Sequence, residues 1–263
     1  MGEKRSQLLP DLDAYLERIG VEGAKEPSPG FLDELIDAHQ RTVPFENIGV
    51  YMRHESPSLE IPDMFDKIVT RKQGGYCFEL NALFGALLQD LGFRARPCMC
   101  RVIFRPSLRD IVSHRANIVT IDGRDYLADV GFGGPMPNFA LVLEDGASRT
   151  ELGQTFTVRI FDDYWWDVCY ARDGQEAQTV LRACVMPVGE KDFVPFSFHQ
   201  SQDPQSPFRL NLMTNIRTGD GAVSLRNKTL TEYHRGKRDV TELESDQDVT
   251  RTLWERFGLR QFV

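Results

Sequence analysis

Apolar residues in the first third of the chain recur at the spacing of a helix face. Leu12, Tyr15, Leu16 and Ile19 make one stripe, with Asp11 placed to cap its start and Gly20 to stop it. Ser28 and Pro29 open a second, running through Leu32, Leu35 and Ile36 toward His39, because proline's fixed φ suits the first helical position. Pro44-Phe45-Glu46-Asn47 reads as a turn. The clearest helix follows Gly74-Gly75, with Leu80, Leu83, Phe84, Leu87, Leu88 and Leu91 on its apolar side and Gly92 as its stop.

From about residue 96 the pattern turns to β. Stretches 101–104, 116–121, 126–130, 155–161 and 164–170 are rich in β-branched and aromatic residues between turn signals, the mark of a barrel or sandwich. The last third predicts strands near 210–216, 222–225 and 229–233, then a helix from about 245 to 257. The chain contains no internal repeat or low-complexity run. The expected order is α, then β, then α+β.

Composition narrows the function. The 263 residues suffice for a large core, and 41% hydrophobic with 27% charged leaves no excess for a membrane span. With 31 basic against 39 acidic residues, the net charge of −8 is the wrong sign for holding nucleic acid. Five cysteines at irregular spacing (Cys77, Cys98, Cys100, Cys169, Cys184) fit a reducing compartment better than a disulfide framework. The opening residues lack the apolar run of a signal peptide. Met1-Gly2-Glu3-Lys4-Arg5-Ser6 matches the loose myristoylation pattern, but that spacing arises often by chance and one acyl chain anchors only marginally. A soluble cytoplasmic protein is the expectation, and nothing in the sequence fixes its oligomeric state.

Candidate chemistry starts at Gly74-Gly75-Tyr76-Cys77. Two glycines permit a sharp turn that leaves Cys77 at a helix start, where the dipole favours thiolate. Taken alone, Cys77 reads more readily as a small core residue three positions before Leu80, and it needs a partner to be a nucleophile. A partner comes from Ser113-His114-Arg115, ahead of strand 116–121. Asp122-Gly123 is a strong hairpin signal, and a two-residue loop there makes His114 face Gly131 and Ala116 face Asp129. His114 and Asp129 then share a face as diagonal neighbours about 7–8 Å apart at the backbone, a gap their side chains can close. Asp129 sits among apolar Leu127, Val130 and Phe132, where an unpaired charge is costly. Glu79 and Asn81 read either as helix-start polar groups or as supports for such a triad.

Three blocks, Gly74-Gly75-Tyr76-Cys77-Phe78-Glu79 with Asn81, Ser113-His114, and Asp129-Val130-Gly131-Phe132-Gly133, together resemble the arylamine N-acetyltransferase family. Further matches at Pro44-Phe45-Glu46-Asn47 and across 201–208 extend the likeness over most of the chain. The resemblance implies an α+β fold with a cysteine-protease-like core in three segments: a helical bundle over 1–95 carrying the nucleophile, an antiparallel β-barrel over 96–195 carrying the histidine and aspartate, and an α/β lid over 196–263. It implies a Cys77-His114-Asp129 triad, acetyl-CoA as acyl donor, no metal, and an arylamine or arylhydrazine acceptor of the kind handled in xenobiotic metabolism. Phe45, Phe132 and Ser113 are then expected to face the acceptor, and Gly133, Gly134, His199 and Ser206 to approach coenzyme A. The chain departs from the family at Gln73, where an arginine usually precedes the two glycines, although Arg71 is close by.

The same residue set leaves open a cysteine hydrolase or amidase, a family-related amide synthase acting on a polyketide, and a catalytically silent binding protein. Cys98-Met99-Cys100 lacks a second ligand pair and reads as packing. Gly131-Phe132-Gly133-Gly134 lacks the spacing of a dinucleotide loop, and the basic run 235–238 reads as a solvated turn.

Overall fold

The computed structural model describes residues 7–172 and 174–260. The stretch Met1 to Ser6, with its acylation-like pattern, lies outside the described residues. Helix α1 (Leu12–Ile19) starts where Asp11 accepts the Ala14 N–H and ends at Gly20 in the left-handed region. Helix α2 (Pro29–Thr42) has Ser28 as its cap and buries Leu32, Leu35, Ile36 and His39. Two short helices, α3 (Ile48–Arg53) and α4 (Ile61–Phe65), precede a π-helical turn over Asp66–Thr70. The helix α5 (Cys77–Asp90) is buried on every side from Cys77 to Leu88, as a helix must be when other helices and a sheet both pack on it.

Phe45–Glu46, expected as a turn, forms the two-residue strand β1 instead. Tertiary partners override the local turn chemistry: the Asn47 amide donates to the Phe208 and Asn211 carbonyls, and its oxygen accepts the Met213 N–H. Eight strands follow: β2 (Arg94–Val102), β3 (His114–Ile121), β4 (Arg124–Ala128), β5 (Leu141–Val142), β6 (Ser148–Glu151), β7 (Gln154–Ile160), β8 (Trp165–Arg172) and β9 (Gln178–Cys184). They make one antiparallel sheet in the order β5-β4-β3-β2-β9-β8-β7-β6, nearly closed into a barrel where β5 meets β7.

A 3-10 turn (Glu190–Phe193) leads into α6 (Val194–Gln202) and α7 (Pro207–Leu210). Strands β10 (Met213–Thr218), β11 (Gly221–Arg226), β12 (Thr229–His234) and β13 (Lys237–Glu242) make a second antiparallel sheet, which takes β1 as its far edge. Helix α8 (Asp246–Phe257), capped by Ser245, packs Leu253 and Phe257 against this sheet's apolar face. The expected strand at 210–216 starts later, because Pro207 nucleates α7 first.

The hairpin joining β3 to β4 has the expected register. Asn117 pairs with Ala128 and Ile121 with Arg124, around Asp122 (φ 51°) and Gly123 (φ 78°). Positive φ at both loop residues is the geometry whose twist matches the flanking strands.

Candidate active site

Cys77 is the first residue of α5 and is buried. The chain reaches it through Gly74, where an added Cβ would come 2.2 Å from the Pro44 carbonyl oxygen, so only glycine lets the turn press against β1. Glu79 accepts the Tyr76 N–H at 3.1 Å, satisfying one of the helix-start donors. Behind it, the four-fifths-buried Lys67 ammonium lies 2.9 Å from Glu79 and 3.1 Å from Glu46, tying the helix start to β1. Burial works against the Lys67 charge, but the two carboxylates hold its pKa above the usual range. This cluster lines a polar cavity of about 470 Å³ that includes neither Cys77 nor His114.

On the other side of α5, His114 Nε2 lies 2.6 Å from Asp129 Oδ2. Asp129 Oδ1 accepts from the Asn81 amide and the Gly131 N–H, both at 2.9 Å. The Asn81 amide also donates to the Arg115 carbonyl at 2.6 Å, and its oxygen accepts the Val130 N–H at 3.0 Å. Helix α5 thus supplies both the cysteine and, one turn on, the group that fixes the aspartate. The approach is close enough that a Cβ on Gly131 would sit 3.0 Å from the Cys77 Cα. Burial alone would lower the His114 pKa. The charge and hydrogen bond of Asp129, with a hydrogen bond to Cys77, override it and push the imidazole up to about 10. With Nε2 committed to Asp129, Nδ1 is the nitrogen left for the thiol.

A sequence profile described as N-acetyltransferase matches residues 30–261. The arylamine N-acetyltransferase of Mycobacterium tuberculosis is 33% identical over 254 residues, covering 95% of this chain and 89% of that one. The Escherichia coli arylamine N-acetyltransferase is 30% identical over 259 residues, covering 96% and 90%. This chain belongs to the arylamine N-acetyltransferase family. The Mycobacterium marinum arylamine N-acetyltransferase solved in complex with CoA superposes with a TM-score of 0.87 at 31% identity, covering 95% of this chain and 93% of that one. The enzyme shares the family's α+β fold with its cysteine-protease-like core.

Within this N-acetyltransferase a small cavity opens over Cys77 and His114, walled by Phe45, Phe132, Ser113 and Gly133 among others. The residues expected to face the acceptor are thereby gathered, with the Phe132 ring tilted against the His114 ring at 5.2 Å between centroids. The Ser113 hydroxyl is already used, accepting the Val102 N–H and donating to the Leu108 carbonyl. Gly133 and Gly134 line a second cavity of about 260 Å³ that shares Phe45 with the first. His199 and Ser206 line neither: His199 is half exposed on α6 beside Asp203, and the buried Ser206 hydroxyl donates to the Gln200 carbonyl. Gln73, in the place of the family's arginine, is buried and donates its backbone N–H to the Lys67 carbonyl.

Lys67 gave no sequence signal, since a lysine following Asp63 and Asp66 reads as a surface charge. Gln40, whose amide donates to the Asp129 and Pro137 carbonyls, was equally silent in an amphipathic stripe. Among the described residues no group of histidine, cysteine, aspartate and glutamate could hold a metal ion, and all five cysteines are free thiols. No helix among the described residues is long and apolar enough to cross a membrane.

Proposed function

We propose that the enzyme transfers an acetyl group from acetyl-CoA to the nitrogen of an arylamine or arylhydrazine through a thioester on Cys77. The observation that carries this reading is the His114 ring held between Asp129 at 2.6 Å and the Cys77 thiol. His114 takes the thiol proton on Nδ1, and Asp129 fixes the tautomer and stabilises the imidazolium. Asp129 raises the imidazole's affinity for that proton, to a pKa of about 10.

The thiolate attacks the acetyl carbonyl, a new S–C bond forms, and the coenzyme A sulfur leaves, taking the proton from His114. Exchange of one thioester for another is close to isoenergetic. The amine then attacks the Cys77 thioester, gives a proton to His114, and expels the Cys77 sulfur to leave a more stable amide. The Cys77 and Phe78 N–H groups occupy the first helical positions, where no intrahelical acceptor exists, and in this reading the helix start supplies donors to the oxyanion. The aromatic wall of Phe45 and Phe132 suits a flat acceptor ring. Free thiols throughout the chain favour a reducing, cytoplasmic setting, and the apolar, aromatic wall around Cys77 accords with an acceptor of xenobiotic type.

Weighing the intact protein after incubation with acetyl-CoA alone tests this. One added acetyl mass on Cys77, with one equivalent of coenzyme A released before any amine is present, is the expected result. Parallel double-reciprocal lines against both substrates should follow. Coenzyme A release that waits for amine, with intersecting lines and no adduct, would overturn the reading. An acid product in place of an amide would assign the site to a hydrolase.

A further inference from the structure

The polar cavity behind the Cys77 helix takes no part in the thiol chemistry. It measures about 470 Å³, is walled in part by α3 and α4, and reaches inward to Tyr76 and Glu79 at the start of α5. Its charges do not balance in depth. At the floor the Lys67 ammonium stands against two carboxylates, Glu46 and Glu79, whose side chains are 1% and 3% exposed. The half-exposed arginines at the mouth have partners of their own, Arg53 with Glu55 and Arg71 with Asp66. Burial raises the Glu79 pKa, Lys67 opposes the rise and Glu46 adds to it, as expected where one ammonium serves two buried carboxylates.

Hydrogen bonding points the same way. Gln73 lines the cavity and is only 7% exposed, yet its side-chain amide makes no hydrogen bond among the described residues; its backbone N–H alone is used, on the Lys67 carbonyl. Glu46 Oε2 accepts the Ile48 N–H, while Oε1 has its 3.1 Å charge contact with Lys67 and no hydrogen bond. An idle buried polar atom is costly, and two idle acceptors on the wall of one cavity call for donors. A cation whose charge is spread over N–H groups answers both needs. The planar guanidinium fork matches a carboxylate along one edge and keeps N–H groups for a carbonyl such as that of Gln73, whereas an alkali ion brings no donor. An arginine at position 73 would extend its own guanidinium into this space, which the shorter glutamine leaves open.

We propose that this cavity binds a small guanidinium-type cation between Glu46 and Gln73, behind the start of the Cys77 helix. The bound cation completes the neutralisation that Lys67 begins and gives the Gln73 amide a partner. Neither Cys77 nor His114 lines the cavity, so binding does not depend on the acetyl-transfer reading, and failure of that reading would leave the following test unaffected.

The test raises methylguanidinium chloride through the low millimolar range at constant ionic strength and follows the thermal unfolding midpoint of the whole protein. Sodium, potassium and methylammonium chlorides are the comparators, and magnetisation transfer from protein protons to the methylguanidinium methyl group reports contact directly. Wild type should show a saturable rise in midpoint and a transfer signal with methylguanidinium, and no rise with sodium or potassium. Gln73→Leu removes the amide and should weaken the apparent Kd by roughly tenfold, the worth of a hydrogen bond to a charged group. Gln73→Arg should abolish both responses, because its own side chain occupies the site. Should either variant fail to fold, the wild-type transfer signal still decides whether the cation binds. No signal and no saturable rise in wild type overturns the site and leaves a water-filled cavity. A response to potassium or methylammonium equal to that with methylguanidinium overturns the guanidinium class. A response undiminished in both Gln73 variants puts the cation elsewhere on the protein and overturns the assignment to this cavity.

Discussion

Two histidines flank the Cys77 helix, one in the helical segment and one in the barrel, and both are buried, His39 at 0% and His114 at 2% exposure. His39, on α2, contacts the Tyr15 hydroxyl through Nε2 at 3.0 Å and packs edge-on against Phe84. Burial, reinforced by the nearby Arg18 charge, drops its pKa to about 3, so it stays neutral. His114, equally dry, has a carboxylate where His39 has a hydroxyl, and its pKa stands near 10. Burial therefore does not decide whether an imidazole carries a proton. The partner decides it, and a structural histidine becomes a base by exchanging a hydroxyl for a fixed carboxylate.

The sharpest way to break that contrast is Asp129→Asn, which gives His114 a neutral partner. Acetyl transfer at pH 7 should fall by about 10⁴ while the fold is kept, as when a triad aspartate is made an amide. A variant within tenfold of wild type in a steady-state assay would remove Asp129 from the mechanism. The Lys67 cluster extends the comparison to a buried cation. Lys67→Met leaves Glu46 and Glu79 uncompensated and should cost about 3 kcal/mol in urea unfolding, with Lys67→Arg restoring much of it. No loss would mean that water already compensates the two carboxylates.

Stability against pH should show the two histidines acting with opposite sign. His114 binds its proton more tightly folded than unfolded, so its contribution is complete below pH 6.5 and is lost as pH rises toward about 10. His39 resists protonation when folded, so its contribution is complete above pH 6.5 and is lost as pH falls toward about 3. In urea melts across pH, Asp129→Asn should flatten the alkaline limb and leave the acid limb in place. Loss of both limbs together would show that some other group sets them. The smallest effect belongs to Cys98→Ser, whose donor bond to the Cys184 carbonyl a hydroxyl can keep. Transfer should persist and stability change by about 1 kcal/mol or less. A large loss of activity would implicate the barrel thiols.

The geometry of the site was legible to the extent that it is local in sequence. The α5 stripe, its glycine entry and the two-residue hairpin are short-range patterns, and they place Cys77, His114 and Asp129 without reference to anything far away. Glu79 and Asn81 stayed ambiguous as helix-start groups or supports because both readings put polar atoms at the same positions. In the fold Glu79 caps Tyr76 and Asn81 bonds Asp129. Long-range pairings were not legible. Strand β9 inserts between β2 and β8, and β1 joins β10 across most of the chain, contacts whose partners no local pattern names.

The two-residue turn at Asp122-Gly123 also constrains how this chain can vary over evolutionary time. A strand's side chains alternate faces, so inserting or deleting a single residue in the turn would send Asp129 to the opposite face of the sheet while His114 stayed put. A change of two residues would keep the face. Among descendants that stay active, length variation at this hairpin should therefore come in even steps, and a saturating insertion library built at this turn should show activity alternating with the parity of the insert.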